Sequence, residues 1–196
     1  MRKVEKRSLT ITAVIIVGLV LLATSSSIPA QDKPQREFFQ ATAMGQGTQL
    51  GRVISINIII EEYSTEEDRQ ALIGAFNAKG MKGLSNALSK MKTKGRLSIT
   101  GTLGYDVSYI RSFPTEDGGR KIRLITERAI RFGEAWGDTR SMDYNLSALE
   151  LTVSNTEGVK STGILLPACQ FKLDKENQLA IRNYQNPWKL MNIQDR

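Results

Sequence analysis

The stretch VISINIIIEE, residues 53–62, alternates from one side chain to the next. Ile54, Ile56, Ile58 and Ile60 fall on one face, while Ser55, Asn57 and Glu61 share the other with Val53 and Ile59. A strand sends successive side chains to opposite faces, so this is a half-buried strand rich in β-branched residues. The period then changes. Ser64 stands three residues before Glu67, the spacing of a capping box, and Glu66, Glu67 and Asp68 put negative charge at the positive end of a helix dipole. That helix turns Leu72, Ile73 and Phe76 inward and stops near Gly80, where a left-handed cap is cheap only for glycine. A second helix is expected from about Lys82 to Lys92, on the apolar stripe Leu84, Ala87, Leu88 and Met91. Lys90, Lys92 and Lys94 cluster at its carboxyl end, where cations favour the dipole. Strand patterning resumes at Arg96 with Leu97, Ile99 and Leu103, then Tyr105, Val107, Tyr109 and Phe113 on one alternating face.

Working outward, Pro114 to Gly119 is a turn, so the strands on either side of it form a hairpin. Further strands are expected at 37–44, 120–128, 146–154, 160–166, 170–173 and 179–181, and the apolar end with Tyr184, Trp188, Leu190 and Ile193 is expected to dock. From Ala129 to Asn145 the alternation fails, and a long ordered loop carrying Trp136, Met142 and Tyr144 is expected there. The expected fold is α+β and mainly antiparallel β: a barrel or sandwich of about eight strands with a two-helix insertion at about 65–93.

The amino end has its own logic. Arg2, Lys3, Lys6 and Arg7 precede an uncharged apolar run from Leu9 to Ala23, and Ser25, Ser26, Ser27, Pro29 and Ala30 follow. This is the n-region, h-region and small-residue zone of a secretory leader, with residues 1–30 as signal peptide and residues 31–196 as a single β-rich domain. An uncleaved anchor formed by residues 9–30 is the alternative, and both place the domain outside the cytoplasm. The whole chain of 196 residues carries a formal charge of +7. The leader holds four of the cations and one anion, so the balance of the remainder is +4 and names no partner.

The absences narrow the chemistry. With no histidine anywhere, Ser-His-Asp and Cys-His catalysis and His-ligated zinc are excluded as usually built. A single cysteine, Cys169, allows neither an internal disulfide nor a multi-thiolate metal site, and its apolar neighbours predict burial. Gly45-Gln46-Gly47 lacks the third glycine and the strand-then-helix order of a phosphate loop. Glu134, Asp138 and Asp143 beside Trp136 and Tyr144 are a grouping a glycan-processing site uses, and equally solvated acids paired with Arg131 and Arg140.

An exported, non-catalytic envelope protein is therefore expected, with no cofactor and no nucleic-acid partner. Two modes of action fit. One is binding of a lipid or other amphipathic small molecule inside a barrel, lined by Tyr105, Tyr109, Trp136, Tyr144 and Trp188. The other is contact with an anionic envelope surface through basic strand and helix faces, with Lys82, Lys90, Lys92, Arg120 and Arg123 as the contacting cations.

Overall fold

The computed structural model describes residues 36–130 and 144–196, which belong to one compact unit, Pro34–Arg196. Nine strands are present: β1 (Glu37–Gly45), β2 (Val53–Ile60), β3 (Gly95–Ile99), β4 (Tyr105–Pro114), β5 (Arg120–Thr126), β6 (Leu146–Val153), β7 (Thr162–Leu173), β8 (Leu179–Gln185) and β9 (Trp188–Asp195). Strands β1 to β7 follow one another as antiparallel neighbours, β9 pairs with both β7 and β1, and the sheet closes on itself. Eight strands form this barrel, and β8 pairs with β7 outside the ring. The mainly antiparallel fold expected from the alternation is thus observed, and of the barrel and the sandwich left open there it is the barrel. Closure removes the free edges that an open sheet would expose.

β8 and β9 are one strand interrupted once. Ala168 faces Gln185 and Leu165 faces Trp188, so the register is unchanged across Asn186 and Pro187. Proline offers no N–H to a ladder, and Asn186 takes a positive φ of 46°, so the pair marks where β8 leaves the ring.

Alternation divides the apolar side chains between two cores. Inside the barrel lie Phe39, Ile56, Ile58, Ile60, Ile110, Ile122, Leu124 and Trp188, all essentially without solvent contact. Outside, Tyr109, Ile125, Leu146, Ala148 and Leu166 point away from that interior. They are covered by the helical segment α1 (Glu66–Leu88) through Leu72, Leu84 and Leu88, and by Phe171 and Leu179 of the β7–β8 arm. One wall of the barrel is therefore double-layered.

The two expected helices form one helical segment with a sharp break, at Lys79 and at Gly80, whose φ is +56°. Beyond the break the second arm folds back on the first. A Cβ on Gly83 would lie 2.0 Å from the Ala75 carbonyl oxygen. Gly83→Ala therefore forces the arms apart and is expected to cost about 1.5 kcal/mol, read as a lower urea midpoint at unchanged slope.

The cap is displaced by one residue from the expected Ser64. Thr65 is the N-cap: its hydroxyl accepts from Asp68 N–H, and the Asp68 carboxylate accepts from Thr65 N–H. Ser64 serves the sheet instead. β3 begins at Gly95, so the edge of β4 beyond Val107 lacks a strand neighbour on that side. The Ser64 hydroxyl accepts from Ile110 N–H at 2.9 Å, and Ser64 N–H donates to the Ile110 carbonyl at 2.8 Å.

Candidate functional site

The barrel has two rims. The near rim, where β1 starts and β2 ends, carries the turns 114–119 and 154–161 and the amino end of α1. The far rim, where β1 ends, carries the turns 45–52 and 100–104, the end of β5 and the junction of β8 with β9.

The five aromatic residues expected to line a cavity do not converge. Trp188 is 1 % exposed within the interior core at the far rim, and Tyr105 packs on that core with its ring 5.3 Å from the Arg128 guanidinium carbon. Tyr109 lies on the opposite side of the wall, in the outer core, where burial raises its phenol above the usual range. A bulge between Val107 and Tyr109 reverses the parity of β4, so Val107 and Ile110 face inward and Tyr109 outward. Tyr144 is half-buried. Trp136 lies outside the described residues, as do Glu134, Asp138 and Asp143.

The cations divide in the same way. Arg120 points into the near rim, where it donates to both Glu37 carboxylate oxygens, at 3.0 and 2.7 Å, and to the Tyr63 hydroxyl at 3.1 Å. The Tyr63 hydroxyl donates to Glu37 at 2.7 Å, and burial together with that carboxylate pushes its phenol up. Arg123, three residues along the same strand, must face the other way. It pairs with Glu150 at 2.6 Å on the outer wall and donates to the Leu179 carbonyl, fastening the arm. Arg120 and Arg123 therefore hold the fold and share no surface. Lys82 and Lys90 are exposed, and Lys92 reaches Glu62 at 3.4 Å from an exposed position.

Lys94 is likewise not a helix-end cation. Its ammonium, on a side chain 9 % exposed, lies 3.0 Å from both Glu62 and Asp68, so it ties the amino end of α1 to the barrel. Hydrogen bonding to Lys94 lowers the Glu62 carboxyl. Burial works against ionisation of Asp68, but the Thr65 N–H and Lys94 outweigh it and lower that carboxyl too. On the surface nearby, hydrogen bonds from Arg69, Gln70 and Arg111 hold the Glu66 carboxyl down to about 2.

No protein family, curated protein or solved structure matches this chain. The surface itself is then the guide.

Large apolar side chains left exposed are concentrated at the far rim. Leu50 is 80 % exposed in the β1–β2 turn and Leu103 is 87 % exposed in the β3–β4 turn. Below Leu50, Met44 and Val53 face each other across the hairpin, both exposed. Tyr184 is exposed just before the β8–β9 junction. That junction is tied to the β1–β2 turn by Gln46 N–H to the Pro187 carbonyl at 3.0 Å and by the Thr48 hydroxyl to Asn186 Oδ1 at 2.7 Å. The sequence sets no expectation for Leu50, and Leu103, expected on a strand face with Leu97 and Ile99, instead lies beyond the end of β3 in the turn. Their signal was a lone large apolar residue next to a turn glycine, Leu50 before Gly51 and Leu103 before Gly104.

Among the described residues no cluster of three or more acidic or cysteine side chains is arranged to hold a metal, and no helix is long and apolar enough to cross a membrane. Cys169 is buried in the outer core, where desolvation alone raises its thiol well above the usual range. A thiol-disulfide reagent is expected to leave Cys169 unmodified in the native protein and to titrate one thiol after denaturation.

Proposed function

We propose that the chain is an exported, non-catalytic envelope protein that acts by surface contact with anionic envelope material. What supports this over enclosure of a ligand is the occupancy of the barrel by its own side chains. Phe39, Ile56, Ile58, Ile110, Leu124 and Trp188 fill it and are each fully buried, and Arg120, Glu37 and Tyr63 form a hydrogen-bonded ion pair at the near rim. A small barrel packed in this way is a rigid support, and its contacts are made by what its outside presents.

A second reading keeps one observation in its favour. Eight strands are the size at which a barrel either fills with side chains or holds one small ligand, and Tyr105 and Trp188 both lie against the interior core at the far rim. Native mass spectrometry of protein purified gently from its own envelope fraction separates the two. Bare protein of the expected mass supports the contact reading. A mass excess that disappears on organic extraction favours the carrier and releases the compound for identification.

A further inference from the structure

The five turns that join neighbouring strands among the described residues differ sharply in character. Residues 114–119, 154–161 and 174–178 read PTEDGG, SNTEGVKS and DKENQ, each with charged groups. The β1–β2 segment 44–51, MGQGTQLG, and the β3–β4 segment 97–105, LSITGTLGY, contain no charge at all. These two uncharged tips are neighbours. β2 pairs with β3, and Thr100 N–H donates to the Ser55 carbonyl at 2.9 Å, so the tips rise side by side at the far rim. Each ends in an exposed leucine.

Charge stands at the base of the tips, where Arg52 closes the first turn. Arg128, at the end of β5, and Lys189, at the start of β9 beside Met44, are both exposed at this rim. Of its carboxylates among the described residues, Asp106 is paired with Arg96 at 2.9 Å, which leaves Glu127. The near rim carries both signs, with Glu37 paired to Arg120 and Glu62 to Lys94, and Glu61, Glu116, Glu157 and Asp195 beside them. The two rims therefore differ in their tips: exposed leucines in uncharged turns at the far rim, charged turns at the near one.

We infer that the far rim docks on a bilayer containing anionic phospholipid. In that complex Leu50 and Leu103 enter the interfacial layer, and Arg128 and Lys189 lie against the phosphates. This rests on the contact reading above and names its partner and its face. Two single side chains on separate tips are poorly suited to a protein partner, which would need a fitted cavity for each. A lipid interface buries any protruding apolar group without shape matching, and nearby cations add attraction to negative headgroups. Met44, Val53 and Tyr184 lie further back and would meet the headgroup zone as the tips enter.

The test uses residues 34–196, a compact unit whose barrel is closed by its own strands, so that the apolar run 9–23 does not contribute. The protein is co-sedimented with vesicles of phosphatidylcholine, and with vesicles in which about a third of the lipid is phosphatidylglycerol, an anionic surface of the kind that attracts basic residues. Binding is expected to be stronger to the anionic vesicles. Leu50→Asp with Leu103→Asp, at solvent-exposed turn positions and with unchanged Tm, should lower partitioning by about tenfold or more. Arg128→Ser with Lys189→Ser should erase the preference for anionic lipid, while Val159→Asp, in the charged turn 154–161, should change nothing.

Failure of the wild type to bind either vesicle overturns the docking, as does binding of the leucine variant equal to wild type. Sedimentation with crude envelope fragments then separates the causes. Retention there without lipid binding leaves the contact reading standing and removes the bilayer. Loss of both removes the contact reading as well.

Discussion

Trp188→Ala is expected to cost about 4 kcal/mol of stability, lowering Tm by roughly 10 °C in a domain of this size. Trp188 is the largest fully buried side chain among the described residues, and it sits where the ring is closed, opposite Gly45 of β1 and Leu165 of β7. Its loss removes packing from both closing pairs and leaves a void that the surrounding strands, hydrogen-bonded on both sides, cannot collapse into. The void would be lined by apolar groups and so would stay dry. The variant should therefore bind a small aromatic such as benzene, detectable as a ligand-dependent rise in Tm, where the wild type shows none. Trp188→Phe should recover most of the stability. A wild-type protein that already gains stability from benzene would instead point to unfilled interior space and favour the carrier reading.

The second large effect concerns Lys94. Lys94→Met leaves Asp68 without its cation and Glu62 with only the exposed Lys92, at an expected cost of about 3 kcal/mol, the low end for breaking a buried pair because both carboxylates keep some solvent. The pH dependence carries the diagnosis. Both carboxyls are depressed in the folded protein, below ordinary values of 4.5 for glutamate and 3.8 for aspartate. Such groups contribute stability that is complete above their unfolded values and lost as pH falls through their folded ones. Lys94 is shifted the other way: burial opposes its charge, but the two carboxylates raise it above 10.5, so its share is lost only in strong alkali. Acid should therefore destabilise the wild type more than Lys94→Met. Thermal melts between about pH 7 and pH 3 should show the two curves converging below about pH 4. Parallel curves would mean that the loss comes from packing of the lysine stem and not from its charge.

Much of the barrel was legible because its physics is local. In β2 the β-branched alternation names the inward face residue by residue, and Ile54, Ile56, Ile58 and Ile60 all pack on the interior. The misreadings share a cause, which is that something distant in sequence settled the matter. Ser64 and Thr65 are each followed three residues later by an acid, so the local pattern cannot choose between them. The choice is made by Ile110, whose N–H needs an acceptor once β3 no longer flanks it. Tyr109 changes sides because of a single bulge. β9 was expected only as a docked end, since its alternation of Trp188 and Leu190 is broken at Asn192, whose φ is +51°. Lys94 looked like a helix-end cation until the fold brought Asp68 to it. At the candidate site Leu103 was expected on a strand face and Leu50 carried no expectation, for the same reason: exposure belongs to the assembled molecule, and nothing in GTQLG or GTLG alone says that both tips face outward together.

The pairing of β1 with β9 also has a consequence in time. Phe39 meets Asp195, so the ring is completed by contacts between nearly the first and the last residues of the domain. Local hairpins such as β4–β5 can form as soon as their turns exist, but closure requires the full loop entropy to be met at once, which makes it a late and slow event. Until the carboxyl-terminal strand arrives, β1 and β7 remain open edges. A chain threaded through a narrow passage from its amino end would emerge without a finished barrel and could only lock once its last residues were through.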